Sequence, residues 1–450
     1  MTRTAALLFI ILLGAACGGG GSGGSGGGTV TVPGGGATDC SVTAQKQFVL
    51  DRMRDVYFWL EDLPETVDIA EYETPEDLLA FLTAGQPLDR FSYIDTASAD
   101  EVFYGEGQYE GFGFSNRFLD TDGDGRTDAI RFVRVFTGSP AERAGFARGQ
   151  YLREVDGRTI REIEEAGELG ELFTPDTVRF RIERLDGSEF ETVVTKEIVT
   201  IDPVPQWRVL ETAGGPVGYL EFAQFITTAE GPDGPLAEAF TEFSRRNVND
   251  IVLDLRYNSG GLVYIAELLG DYLGGSIADT EVFSRTLYNS RNTDRNRTER
   301  FERLAASPSL SRLIVIASEG TISASELVIN SMFPWADVFI VGERTFGKPV
   351  GQTGEVLQDC DFILRPVAFE TLNSLDEGRY FQGLPVDCPA PDDLDYAVGA
   401  DDDPSLTTAL GLLETGACPA ATGRQKPAAT ERVIRPMDRA APYRSLNGVL

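Results

Sequence analysis

The chain has no histidine, so no imidazole is available as general base, proton shuttle or metal ligand. Any hydrolytic chemistry must draw its base from another side chain. Positive charge is scarce as well: 39 Lys and Arg stand against 71 Asp and Glu, a formal net charge of −32 at pH 7. That balance repels a phosphate backbone and argues against nucleic acid as a partner. Membrane-like sequence is confined to the N-terminus, where Thr2-Arg3-Thr4 precedes the apolar run Ala5 to Leu13, a run too short to span a bilayer unaided.

That run ends in the small residues Gly14-Ala15-Ala16 before Cys17, the layout of a secretory signal peptide over residues 1–16. Cys17 at this place resembles the lipidation site of bacterial lipoproteins, with Gly14 where that motif usually has an aliphatic residue. The resemblance implies an exported protein of the bacterial cell envelope, acylated at Cys17 and facing the periplasm, whose membrane contact is this anchor; plain cleavage and release is the alternative. Residues 17–43 then read as the lipidated Cys and a tether, because Gly18 to Gly36 is mostly Gly and Ser and such sequence behaves as flexible coil. The remaining Cys40, Cys360, Cys388 and Cys418 fit two disulfides in an exported protein, with three possible pairings. A metal site is the weaker reading, since the spacings are wide and histidine is missing.

The rest predicts a multidomain α/β chain. Residues 44–100 read as a small helical domain, with Phe48, Met53, Val56, Tyr57 and Leu60 at three-to-four spacing and Pro75-Glu76-Asp77 opening a second stretch. Residues 101–199 turn to short β-branched and aromatic runs, such as Ala129 to Phe136, Val178 to Arg184 and Glu191 to Val199. Within them Asp120-Thr121-Asp122-Gly123-Asp124-Gly125 has the start of a calcium loop, but its twelfth position is Arg131 where a bidentate Glu is required, so an acidic hairpin turn is expected. In residues 200–418 strand-like runs, Val217 to Phe222, Ile251 to Leu255, Leu313 to Ala317 and Val338 to Val341, alternate with helical stretches, which predicts a largely parallel sheet. The tail 419–450, with few large apolar residues, reads as poorly ordered.

Three segments at strand ends carry chemistry. Ser318 to Ser325-Glu326 precedes an apolar-periodic helix; Ser323 to Glu326 fits a capping box, and Ser323 also stands where a nucleophile would be exposed. Gly342 to Gln352 sets Lys348 in a glycine-bounded turn. Asp254-Leu255-Arg256-Tyr257-Asn258-Ser259-Gly260-Gly261 leads into a helix from Leu262 to Leu273, and a Gly-rich turn at a helix start leaves N–H groups able to hold an oxyanion. A phosphate loop is the rival reading, but its Gly-Lys-Ser/Thr signature is missing.

Two resemblances follow. Gly111-Phe112-Gly113-Phe114, then Ser139-Pro140-Ala141-Glu142-Arg143-Ala144-Gly145 and Val155-Asp156-Gly157, resemble a PDZ domain, whose loop takes a peptide's terminal carboxylate while the peptide adds as a strand. Asp-Leu-Arg-x-Asn-x-Gly-Gly, Ser-Ala-Ser-Glu and Thr-Phe-Gly-Lys-x-x-x-Gln resemble the C-terminal processing (tail-specific) peptidases, over about residues 44 to 400. That resemblance implies a Ser/Lys protease core, with Ser323 as nucleophile, Lys348 as its base and Gln352 orienting the Lys. The oxyanion donors would be Ala324 and one of Gly260 or Gly261. Pro349 departs from the family, which commonly has Gly there. The implied activity is endopeptidase cleavage of exported proteins or peptides with free C-termini, needing no cofactor and no metal. An inactive peptide-binding protein and a Ser/Lys esterase or amidase are the alternatives.

A Ser hydroxyl is a weak nucleophile until a base takes its proton, and a Lys can do so only when neutral. Its ordinary pKa of about 10.4 must then fall by roughly three units, which burial achieves. Lys348 is therefore expected in a largely apolar pocket, with a neutral partner and no adjacent carboxylate.

Overall fold

The structure, a computed structural model, describes residues 39–228, 231, 234–390 and 392–419, together with the backbone of 432–434. Cys17, the signal segment and the tether up to residue 38 lie outside the described residues, while residues 39–43, expected as the tether's end, hold Cys40 and the cap and first residues of a helix. Among the described residues no helix is long and apolar enough to cross a membrane.

The α/β region expected over residues 200–418 is built on a six-stranded sheet in the order Gln206–Thr212, Gly215–Glu221, Asp250–Asp254, Arg312–Ala317, Asp337–Gly342 and Cys388–Pro389. The first pair is antiparallel and the other pairs are parallel. Strand residues alternate between faces. Ile251, Leu253, Leu313 and Val315 pack under the helices Gly234–Arg245, Val263–Gly274 and Ala324–Met332, while Val252, Ile314 and Ile316 pack on Leu406, Ala409 and Leu412 of the helix Pro404–Thr415. Both faces are thus covered, which is why these strands read as continuous apolar runs rather than alternating ones. Each such fully buried side chain contributes about 1.5–3 kcal/mol.

The helices Val42–Val56 and Pro75–Thr83, with short 3-10 turns at Leu60–Asp62 and Ile69–Glu71, form the N-terminal domain, and the helix Ala97–Glu106 that follows packs through Phe103 with Tyr109 and Val199. Ser41 caps the first, and Thr74 with Asp77 forms a capping box on the second. The domain's core is not its own: Val49, Met53, Tyr57, Leu78 and Phe91 pack against Val350, Phe362, Leu364 and Val367 of the α/β region. Tyr93–Asp95 pairs with Phe362–Arg365, and Cys40 is bonded to Cys360. The second disulfide joins Cys388 to Cys418.

The PDZ domain has a separate core of Phe112, Phe114, Phe132, Phe146 and Phe180 with Ile130, Leu152 and Ile182. Its sheet runs Phe114–Asp120, Ala129–Val135, Tyr151–Val155, Thr177–Glu183 and Glu189–Thr195. The expected continuous run from Glu191 to Val199 breaks at Lys196, after which Glu197–Thr200 pairs with Gln108–Gly111 in a separate two-stranded sheet. The acidic turn after Phe114–Asp120 is tied by Asp120 accepting from the N–H groups of Gly123 and Gly125. Arg161 donates to Asp122 and Asp124. Of the tail 419–450, residues 420–431 and 435–450 lie outside the described residues; Arg432–Ile434 forms a strand antiparallel to Phe118–Asp120. Three residues are too few to register as a periodic pattern.

Candidate active site

Ser323 sits at the mouth of the helix Ala324–Met332 with φ 58° and ψ −114°. That is a left-handed conformation which a residue bearing a Cβ adopts at a cost of order 1–3 kcal/mol. The strain persists because the turn is held on both sides. Ile322 N–H donates to the Asn258 carbonyl (3.1 Å), Thr321 Oγ1 to the Leu255 carbonyl (2.8 Å) and Ser325 Oγ to the Asn258 carbonyl (3.0 Å). The Asp254 strand end is thereby stitched to the serine turn.

Glu326 joins the third segment. Its Oε2 accepts the N–H of Ser323 at 3.0 Å and the N–H of Lys348 at 2.8 Å. Its Oε1 accepts Gly347 N–H at 2.7 Å and Thr345 Oγ1 at 2.5 Å. One carboxylate oxygen thus binds the backbones of Ser323 and Lys348 together. The capping box read from sequence is present as its Glu half, with two further segments drawn in. Burial pushes the Glu326 carboxyl up to about 7, against the pull of those four hydrogen bonds.

Lys348 is 5 % exposed. Its Nζ donates to Gln352 Oε1 at 2.6 Å and lies 5.4 Å from the centroid of the Phe91 ring. The amide of Gln352 is fixed in orientation, because its Nε2 donates to the carbonyls of Phe91 (2.5 Å) and Arg365 (3.0 Å) and only the oxygen is left to face the amine. Burial lowers the Lys348 pKa to about 7, opposed by the negative charges of Asp89 and Glu326 and aided by the positive charge of Arg365. An adjacent carboxylate was not expected. Glu326 is nonetheless there, on the N–H of Lys348, and its effect is smaller than that of burial. Pro349 leaves this arrangement intact: its carbonyl accepts Thr371 N–H at 3.1 Å, and the N–H it lacks belongs to neither Lys348 nor Gln352.

The two glycines of the Gly-Gly turn differ. Gly260 N–H is committed to Asn258 Oδ1 at 2.9 Å, which corrects its assignment as a possible oxyanion donor. Its contribution is room: with φ 92°, a Cβ there would stand 2.8 Å from Ser323 Cβ and 2.9 Å from Ala324 N. Among the described residues the N–H groups of Gly261 and Ala324 have no acceptor in the fold. The same holds in the PDZ loop for the N–H groups of Phe112 and Gly113, while the Phe112 and Gly113 carbonyls accept from Ala141 and Phe136. Gly113 has φ 91°, and a Cβ on it would fall 2.1 Å from Ser139 Cβ, so Gly111-Phe112-Gly113-Phe114 is closed tightly against the start of the helix Pro140–Arg143.

Sequence reasoning missed Phe91, Asn258 and Thr345, and took Glu326 for a helix cap alone. Thr345 and Asn258 lie inside the motifs that were singled out. Phe91 lies in the N-terminal domain and reaches the site partly through its carbonyl, for which no side-chain signal exists.

Comparison with known proteins bears on all three regions. The profile of peptidase family S41 matches residues 216–381, that of the peptidase S41 N-terminal domain residues 44–93, and that of a PDZ domain residues 131–184. A carboxyl-terminal-processing protease of Synechocystis sp. is 27 % identical, over 54 % of this chain and 56 % of its own length. A chloroplastic C-terminal processing peptidase of Tetradesmus obliquus is 30 % identical, over 51 % of this chain and 50 % of its own. The chain thus spans about half the length of these curated relatives. In fold it is similar to a putative S41 protease from Bacteroides fragilis, with a TM-score of 0.64 at 24 % identity, covering 82 % of this chain and 97 % of that one. Three parts of the chain are thus matched in the order in which they fold, residues 216–381 by peptidase family S41 itself, and the relatives are named carboxyl-terminal processing proteases.

Proposed function

We propose that the chain is a serine endopeptidase that cleaves exported proteins or peptides by acyl-enzyme chemistry at Ser323, with Lys348 as general base. The observation that carries this reading is the shared Glu326 oxygen, which brackets the backbones of Ser323 and Lys348, combined with an amine whose burial brings its pKa to about 7. At neutral pH a substantial fraction of Lys348 is then uncharged and able to take the Ser323 proton as the hydroxyl oxygen attacks the scissile carbonyl. Gln352 holds the amine through a neutral oxygen and so adds no charge that would keep it protonated. The N–H groups of Ala324 and Gly261 are the donors for the oxyanion. Lys348 then returns the proton to the leaving amine, and water hydrolyses the acyl-Ser323 ester with Lys348 again as base.

The PDZ loop supplies recognition. The unclaimed N–H groups of Phe112 and Gly113, closed between Gly111 and Phe114, receive a substrate's C-terminal carboxylate. Two disulfides support export to an oxidising compartment, and with them the reading of residues 1–16 as a signal peptide and Cys17 as a lipid anchor in the bacterial envelope.

The test is cleavage of an unstructured protein with a free apolar C-terminus. Ser323→Ala is expected to lower kcat/KM by about 10³-fold or more. Because the neutral amine is the active form, wild-type kcat/KM is expected to rise with pH to a plateau, with its midpoint near the Lys348 value of about 7. Equal cleavage by wild type and Ser323→Ala would leave a peptide-binding protein as the better description.

A further inference from the structure

The edge of the PDZ sheet that would receive a peptide is Phe114–Asp120, because this strand follows directly on the loop Gly111-Phe112-Gly113-Phe114. An open sheet edge presents unpaired N–H and C=O groups to any extended chain. Here its outer half is taken: Arg432 pairs with Asp120, Val433 with Leu119 and Ile434 with Phe118, antiparallel. The tail strand therefore runs toward the loop, the direction in which a peptide must lie for its C-terminus to reach the N–H groups of Phe112 and Gly113. The next residue along the edge, Arg117, has its guanidinium 5.1 Å from the ring centroid of Tyr257 and 3.7 Å from Glu343. Tyr257 directly precedes Asn258 in the turn beside Ser323.

We propose that the chain carries its own PDZ ligand: the segment around Arg432–Ile434 occupies the peptide-receiving edge in cis and competes with substrate C-termini for it. This rests on the reading of that edge as the site of peptide addition. A peptide paired along the whole of Phe114–Asp120 cannot bind while Arg432–Ile434 is seated. A short strand suffices for such competition because the contact is intramolecular, so the tail meets the edge without the cost of bringing two molecules together. Apparent affinity for an incoming peptide is then reduced by the fraction of molecules whose edge is vacant.

The experiment uses the chain with Ser323→Ala, so that nothing is cleaved, as full length and as a chain ending at Gly423, which keeps Cys418. The probe is a fluorescein-labelled octapeptide ending in a free valine. Truncation is expected to tighten its Kd at least threefold, and a synthetic peptide of residues 429–437 is expected to displace it from the truncated chain. An unchanged or weaker Kd on truncation overturns the proposal. Hydrogen exchange gives a readout that needs no peptide. The amides within Phe118–Asp120 that face the tail are expected to exchange at least tenfold faster in the truncated chain. They should do so too in the full-length double variant Val433→Pro, Ile434→Pro, in which one of two adjacent residues must lose a ladder donor. If neither chain binds the octapeptide, the peptide-recognition reading fails; if exchange is unchanged, the seated tail fails, whatever the octapeptide does.

Discussion

The N-terminal domain and the PDZ domain are joined to the same catalytic region by opposite means. The first shares an apolar core with it, through Met53, Tyr57, Leu78 and Phe91 against Phe362, Leu364 and Val367, and adds the Cys40–Cys360 bond. Polar ties are secondary there: Asn289 Nδ2 donates to the carbonyls of Asp55 and Tyr57, both at 2.9 Å. The PDZ domain keeps its phenylalanine core to itself; apart from a small apolar cluster in which Tyr109, Phe136 and Val199 pack with Ile201 and Ile226, it meets the catalytic region through ion pairs, Arg134 with Glu221 at 2.6 Å, Arg148 with Asp392 at 2.7 Å and Arg131 with Asp395 at 2.7 Å. A shared apolar core cannot be opened without unfolding both sides, whereas a polar interface can exchange its partners for water. The first domain is accordingly part of the catalytic body, and the second is an attachment that can shift on it.

The largest test of this contrast is excision. Gly111 is paired with Glu197 in an antiparallel ladder, so replacing residues 112–196 by Asn-Gly converts the two flanking strands into a hairpin with a favoured two-residue turn. The shortened chain is expected to fold, elute as a compact species and retain labelling of Ser323 by a fluorophosphonate. Removal of residues 39–95 uncovers Phe362, Leu364 and Val367 and is expected to give no soluble, labelled protein. Survival of the second deletion would show that the shared core is dispensable and would erase the distinction.

A second test asks which region keeps Lys348 dry. Phe91, from the N-terminal domain, faces the amine with its ring and anchors Gln352 with its carbonyl. Phe91→Ala keeps the carbonyl and admits water, so the Lys348 pKa moves up from about 7 toward its ordinary value. Less of the neutral amine is then present at pH 7. The midpoint of the kcat/KM profile is expected to rise by about one unit and the rate at pH 7 to fall about fivefold, as the neutral fraction of the amine drops from about a half to about a tenth. Arg117→Ala, in the PDZ domain, is expected to leave the midpoint in place. A shift with Arg117 and none with Phe91 would invert the roles of the two regions.

The legible and illegible parts of the sequence divide along related lines. Buried parallel strands announce themselves as apolar runs, and the observed Asp250–Asp254 and Arg312–Ala317 lie within a residue of the runs expected. Ser323, Lys348 and Gln352 stood out as candidates because they fall on the motifs Ser-Ala-Ser-Glu and Phe-Gly-Lys-x-x-x-Gln of the resembled family. The shared core was hidden, since amphipathic spacing around Met53 and Tyr57 shows that a face is buried without saying against what. Gly260 and Gly261 could not be told apart, because the difference lies in which N–H Asn258 Oδ1 accepts. The strand Arg432–Ile434 was hidden for the opposite reason, being too short to carry a pattern and dependent on an edge offered elsewhere.

The smallest expected effects grade the PDZ interface itself. Asp392 is 2 % exposed at its side chain and accepts from Arg148 and Arg256, both at 2.7 Å, and from Tyr257 Oη. Asp395 pairs with Arg131 but is 44 % exposed. Neutralising a buried partner leaves cations without their counter-charge, so Asp392→Asn is expected to cost about 3–5 kcal/mol, read by denaturant unfolding. Asp395→Asn is expected to cost about 1 kcal/mol or less and to lose even that in high salt, because an exposed pair is screened and Arg131 keeps its bond to the Gly149 carbonyl at 2.9 Å. If both substitutions cost the same, the interface is held by its rim and no centre at Asp392 fixes where the PDZ domain sits. If only Asp392→Asn is costly, the centre that fixes it also pins Tyr257, and any shift of the PDZ domain must be felt one residue away from Asn258.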